Sequence, residues 1–237
     1  MDKYANILGF KVFRGSFNEA LDEIDKYEKV NIISGNPEVL YAGFNDEILS
    51  KEFSSNRAFI IPDGVGTILA SKMIKCPVKE KIAGIEFMQA VLEKSARLQK
   101  PVYLLGASRD VVQCCVEKIK HQHPGILVAG YRDGYFSDKD AEEIVEEIIR
   151  CKPYAVFVAL GCPKQEMFIK KYMDVIPANV FMGVGGSFDG ISGKVKRAPK
   201  FMINMGMEWL YRTIVDPKRI GRLSSIPKFL YLVKRYK

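Results

Sequence analysis

Asp63 is the carboxylate in this chain best placed to take a proton from a substrate. It follows the almost wholly apolar run 58–62 and precedes the turn Gly64-Val65-Gly66, so it can reach a ligand from a partly desolvated mouth that tunes its basicity. A helix-capping or turn aspartate would occupy the same position, and position alone does not separate the two readings. Four further turns of similar composition follow apolar runs: Ser34-Gly35-Asn36-Pro37-Glu38, Gly106-Ala107-Ser108, Gly161-Cys162-Pro163-Lys164-Gln165-Glu166 and Gly183-Val184-Gly185-Gly186-Ser187-Phe188-Asp189. Glycine at such a turn lets backbone approach a ligand, and the next helix presents N–H groups to phosphate. One such turn is an ordinary strand-to-helix connection. Five at one sheet edge make a nucleotide-sized site.

Other reactive residue types read differently. Asp138-Lys139-Asp140 has the spacing of a metal-diphosphate DxD motif, but it follows Ser137 at the start of an acidic helix, where capping and dipole compensation account for it. His121 and His123 fit a solvated last helical turn ahead of Pro124, and Cys162, with no histidine nearby in sequence, reads as packing. The expectation is no bound metal and no cofactor.

For the turns to converge, the runs ahead of them must be parallel strands. Apolar runs at 30–34, 58–62, 102–106, 126–131, 155–161 and 180–184 alternate with helical patterns. Among the helices, Ser16 to Glu19 has capping-box spacing, Asn36-Pro37 supplies a cap and an N1 proline, and 84–98, 108–120, 137–150 and 163–173 carry the others. This predicts an α/β, Rossmann-like parallel sheet covered by helices. Ligands in such sheets bind beyond the carboxyl ends of the strands. No GxGxxG follows a strand: Gly183-Val184-Gly185-Gly186 is mis-spaced and leads into Ser187-Phe188-Asp189 rather than an obvious helix, which argues against a dinucleotide-dependent enzyme.

A chain of 237 residues, 48% hydrophobic, can bury one main core without staples. Its five cysteines lack CxxC spacing and read as reduced thiols. With no signal-peptide pattern and no bilayer-length apolar run, the expected location is the cytoplasm. The net charge of +8 is concentrated at one end: eleven Lys and Arg face two acids from Lys196 on, against 25 basic and 26 acidic residues before it. The expected division is therefore 1–195 as the Rossmann-like catalytic domain and 196–237 as a basic helical appendage. The appendage should be removable, provided the body buries its own core. In its last stretch Ile226, Phe229, Leu230, Leu232 and Val233 mix with Lys228, Lys234, Arg235 and Lys237. That pattern suits either an interfacial helix or one docked on the core.

Several of these pieces together resemble the signature of the WecG/TagA/CpsF family, glycosyltransferase family 26. They are Gly161 to Glu166, Gly183 to Asp189, Gly193-Lys194-Val195-Lys196-Arg197-Ala198-Pro199, Glu208-Trp209 and Arg212, in matching order and spacing. The match extends back through Gly84, Pro62-Asp63-Gly64 and Asn36-Pro37-Glu38. The resemblance implies inverting, metal-independent transfer of a hexose derivative from a UDP-sugar to an undecaprenyl-diphosphate-linked saccharide, with the protein peripheral on the inner face of the cell membrane. The products of such enzymes feed wall teichoic acid or other surface polysaccharides. N-acetylmannosamine onto N-acetylglucosamine is the first expectation for the sugars.

On matching positions, the resemblance makes Asp63 the catalytic base. It assigns Gln165 and the loop from Gly183 through Gly185 to Asp189 to the nucleotide pocket, with Asp189 on the ribose. Tyr135 could stack on uracil or be a core tyrosine, and Arg212, Arg219 and Arg222 would face the diphosphate. Asn36 and Lys81 complete the expected substrate contacts. Ser34-Gly35 replaces the family's usual threonine, Lys81 its arginine, Glu86 its aspartate and Gly221-Arg222 its paired arginines, which leaves the sugars open. The competing reading is a basic-tailed nucleic-acid-binding protein with a Rossmann-like body. Tyr231 and Tyr236 allow it, but the tail has no groove-reading or base-stacking motif, so no nucleic-acid partner is expected. An anionic membrane surface is the expected macroscopic partner, and a homo-oligomer remains open.

Overall fold

A computed structural model describes residues 2–137, 139–195, 199, 202, 211 and 225–236. Six parallel strands correspond to the six apolar runs: β3 (Val30–Ser34), β4 (Ala58–Ile61), β5 (Val102–Gly106), β6 (Val128–Arg132), β7 (Ala155–Ala159) and β8 (Val180–Gly183). In β3, β4, β5, β7 and β8 the near-continuous hydrophobicity follows from burial on both faces, whereas β6, at the sheet edge, is half-buried to exposed along its length. In β5, Val102 and Leu104 enter one core while Tyr103 and Leu105 enter another, and β7 alternates the same way. Two strands were not expected. β1 (Tyr4–Ile7) and β2 (Phe10–Phe13) form an antiparallel hairpin whose turn, Leu8-Gly9, has positive φ at both residues but lacks the Asn-Gly or Asp-Gly signal of such turns.

The eight strands run in the order β1-β2-β4-β3-β8-β7-β5-β6. After β4 the chain crosses over β3, β8 and β7 to reach β5, and this reversal opens a crevice at the carboxyl ends of the central strands. α1 (Phe17–Glu23), α5 (Gly84–Arg97), α6 (Arg109–Gln122) and α9 (Ser187–Ser192) cover one face. On the other lie α2 (Pro37–Asn45), α3 (Glu47–Phe53), α4 (Val65–Met73), α7 (Asp140–Cys151), α8 (Lys164–Tyr172) and α10 (Ser225–Arg235). The Ser16/Glu19 capping box and the Asn36 cap with Pro37 in the first turn are both formed. His121 lies in the last turn of α6 and His123 caps it.

Two expectations are corrected. A short helix, α9, does follow the Gly183 loop; its six residues end at Gly193 in the left-handed conformation, too brief for a periodic pattern to reveal. The body also does not bury its core alone. Phe229 and Val233 of α10 are buried in one cluster with Phe10, Leu40 and Ile60, and α10 packs on α2 and α4. The apolar stripe of α10 is thus directed at the core. Of the appendage, only Pro199, Met202, Tyr211 and 225–236 lie among the described residues. Among them, no helix is long and apolar enough to cross a membrane.

Candidate functional site

The strand ends surround a cleft of about 610 Å³, within the range of small-molecule sites. Asp63 lines it, two residues beyond the end of β4. Its Oδ2 accepts from Ser34 Oγ at 2.6 Å and from Gly84 N at 3.3 Å, so the end of β3 and the start of α5 together orient the carboxylate. Gly64, at φ +79°, turns the chain directly after Asp63 into α4, in a backbone region that side chains other than glycine rarely adopt. Asn36 lines the adjacent wall; its Oδ1 caps α2 through Val39 N at 3.0 Å, and its Nδ2 reaches Ser34 Oγ at 3.4 Å. Lys81, in the loop before α5, lines the same wall.

Opposite Asp63, the Gly161 turn runs into α8 and buries Gln165, which is 3% exposed. Gln165 Oε1 accepts from Gly185 N at 2.9 Å, and a Cβ at Gly183 would stand 2.7 Å from Gln165 Nε2, so only glycine admits the amide there. Asp189, in the first turn of α9, closes this side. Tyr135 is 83% exposed at the rim, so the core-tyrosine reading is set aside. The cleft thus collects Asn36, Asp63, Lys81, Tyr135, Gln165, Gly183, Gly185 and Asp189. Arg212, Arg219 and Arg222 lie outside the described residues. Asp140 accepts from Ser137 N and Oγ, which holds its carboxyl below the usual carboxylate range; Asp138, the other half of the DxD spacing, is also outside the described residues.

Three contributors went unselected in the sequence. Ser34 was visible as the polar end of an apolar strand, whereas Ser225 and Ile226 of α10 reach the cleft only through the packing of that helix. Glu166, beside Gln165, is also buried, and burial pushes its carboxyl above its ordinary value of 4.5. A raised carboxyl stabilises the fold fully below its ordinary value and loses that contribution as pH rises through the raised one. Glu166→Gln is therefore expected to unfold at a higher urea concentration than the parent at about pH 8, with the gap shrinking toward about pH 4.

Comparison with known proteins decides the family. Residues 5–237 match the glycosyl transferase WecG/TagA/CpsF family. The chain belongs to that family. It is 40% identical over 213 residues to an N-acetylglucosaminyldiphosphoundecaprenol N-acetyl-beta-D-mannosaminyltransferase of Bacillus spizizenii, covering 90% of this chain and 82% of the relative. Identity is also 40% to the enzyme of that name from Bacillus subtilis, over 92% of this chain and 85% of the relative. With the Staphylococcus aureus enzyme of that name it is 37%, over 87% and 80%. In this WecG/TagA/CpsF member the match takes in every strand end that builds the cleft.

Proposed function

We propose that this glycosyltransferase moves N-acetylmannosamine from a UDP-sugar to undecaprenyl-diphosphate-linked N-acetylglucosamine, with inversion and without a metal ion. The observation that carries the reading is the Asp63 carboxylate, fixed by Ser34 and Gly84 on one side of a cleft whose other side is backbone, Gln165 and Asp189. Asp63 takes the proton of the acceptor hydroxyl as it attacks the anomeric carbon; the bond to the UDP oxygen breaks, and that oxygen keeps the electron pair. A single base acting on an acceptor opposite the leaving group gives inversion. Gln165, Gly183, Gly185 and Asp189 hold the nucleotide, Tyr135 stacks on the base from the rim, and Asn36 and Lys81 contact substrate. Arg212, Arg219 and Arg222 neutralise the diphosphate as its charge develops, the role a cation has elsewhere. Engagement of Asp140 in its own helix start supports the metal-independent reading.

The names of the relatives support the acceptor and the transferred sugar. The basic end of the chain supports docking on the inner face of an anionic membrane, at about 1 kcal/mol for each basic residue near the surface. A panel of UDP-sugars offered with a prenyl-diphosphate N-acetylglucosamine, read by product mass, tests the assignment. N-acetylmannosamine transfer is expected, undiminished by EDTA. Loss in EDTA with recovery on magnesium or manganese would reverse the metal-independent reading.

A further inference from the structure

Behind the cleft wall, Glu166 lies 5% exposed, with Oε1 accepting from Gln165 Nε2 at 2.8 Å and Oε2 lacking any hydrogen-bond partner among the described residues. Gln165 is thereby held at both ends of its amide. Gly185 N–H requires the carbonyl oxygen on one side, and the Glu166 oxygen requires the NH₂ on the other. Exchanging the two atoms would set one N–H against another and leave the carboxyl oxygen facing a carbonyl. In the orientation observed, Nε2 keeps a second hydrogen and Oε1 a second lone pair with which to meet a ligand in the cleft that Gln165 lines.

A buried carboxylate with an open oxygen costs far more than the neutral acid. Glu38 of α2 adds a further negative charge to these surroundings, while the hydrogen bond from Gln165 and the proximity of the Cys162 thiol act the other way and are outweighed by burial. Ionised or neutral, the carboxyl offers Gln165 Nε2 an acceptor oxygen, so the lock on the amide does not need a charge.

We propose that Glu166 is a positioning residue for nucleotide recognition: buried behind the cleft wall, it fixes which atoms of the Gln165 amide face the bound nucleoside diphosphate. This rests on the donor reading given above. Glu38 and Cys162 line the cleft as well, so the carboxyl sits where the nucleotide wall meets the protein interior.

UDP affinity by calorimetry and the thermal midpoint are measured for the parent, Glu166→Leu, Glu166→Gln, Gln165→Leu and the double Leu variant. Glu166→Leu removes the acceptor for Nε2 and should weaken UDP about tenfold with an unchanged or raised midpoint, while Glu166→Gln, which keeps a carbonyl, should recover most of that loss. In the Gln165→Leu background, the Glu166→Leu change should alter UDP affinity less than about twofold, because the two act as one unit. The proposal is overturned by unchanged UDP binding in Glu166→Leu, by a full additional loss in the double variant, or by failure of Glu166→Gln to recover. A parent that binds no UDP overturns the donor reading itself, a result distinct from all three.

Discussion

Asp63→Asn is expected to lower turnover by about a hundredfold or more while UDP binding stays close to that of the parent. Asp63 Oδ2 is engaged by the Ser34 hydroxyl and the Gly84 N–H, and in the proposed mechanism Oδ1 takes the acceptor proton. In the variant, the two donors select the amide oxygen for the Oδ2 position, so the NH₂ faces the acceptor. An NH₂ cannot take a proton. The hydrogen bonds that hold β3, β4 and α5 together survive, so folding should be preserved and the deficit confined to chemistry. Product formation under saturating substrates, beside calorimetry with UDP, checks both halves. Turnover equal to that of the parent removes Asp63 from the mechanism.

Ser34, whose hydroxyl donates to Asp63, stands at the polar end of an apolar run. The site was legible wherever a polar residue or glycine ended an apolar run. Asp63, Asn36, Gln165 and Asp189 each stand within a few residues of a strand end, and parallel strands bring their carboxyl ends together whatever the lengths of the helices between them. Parts that depend on packing were not legible. The orientation of Gln165 needs Gly185 and Glu166 in three dimensions, and neither spacing nor composition says that Glu166 is buried. Tyr135 shows the same limit in the opposite direction, because an aromatic residue after a strand fits a core as readily as a rim. The hairpin β1–β2 was missed because Leu8 takes a backbone conformation that leucine rarely adopts, so local propensity gave no turn signal.

The basic, apolar pattern of α10 left two surfaces open to it, core and bilayer, and the fold directs Phe229 and Val233 to the core. Phe229 has no exposed surface and sits with Phe10, Leu40 and Ile60, while Tyr231, on another side of the same helix, is 63% exposed. Removing a buried phenylalanine side chain costs about 3–5 kcal/mol through lost burial and the cavity left behind. Phe229→Ala is therefore expected to destabilise the protein by about 3 kcal/mol or more. The effect should reach the site, because Ser225 and Ile226, one turn before Phe229 in α10, line the cleft. A helix that has lost its anchor no longer holds that wall, so transfer should fall even at temperatures where the body remains folded. Urea unfolding followed by far-UV circular dichroism, with transfer assayed below the transition, measures the two effects separately. An unchanged unfolding midpoint combined with lost liposome binding would place Phe229 on the bilayer and return α10 to the interfacial reading.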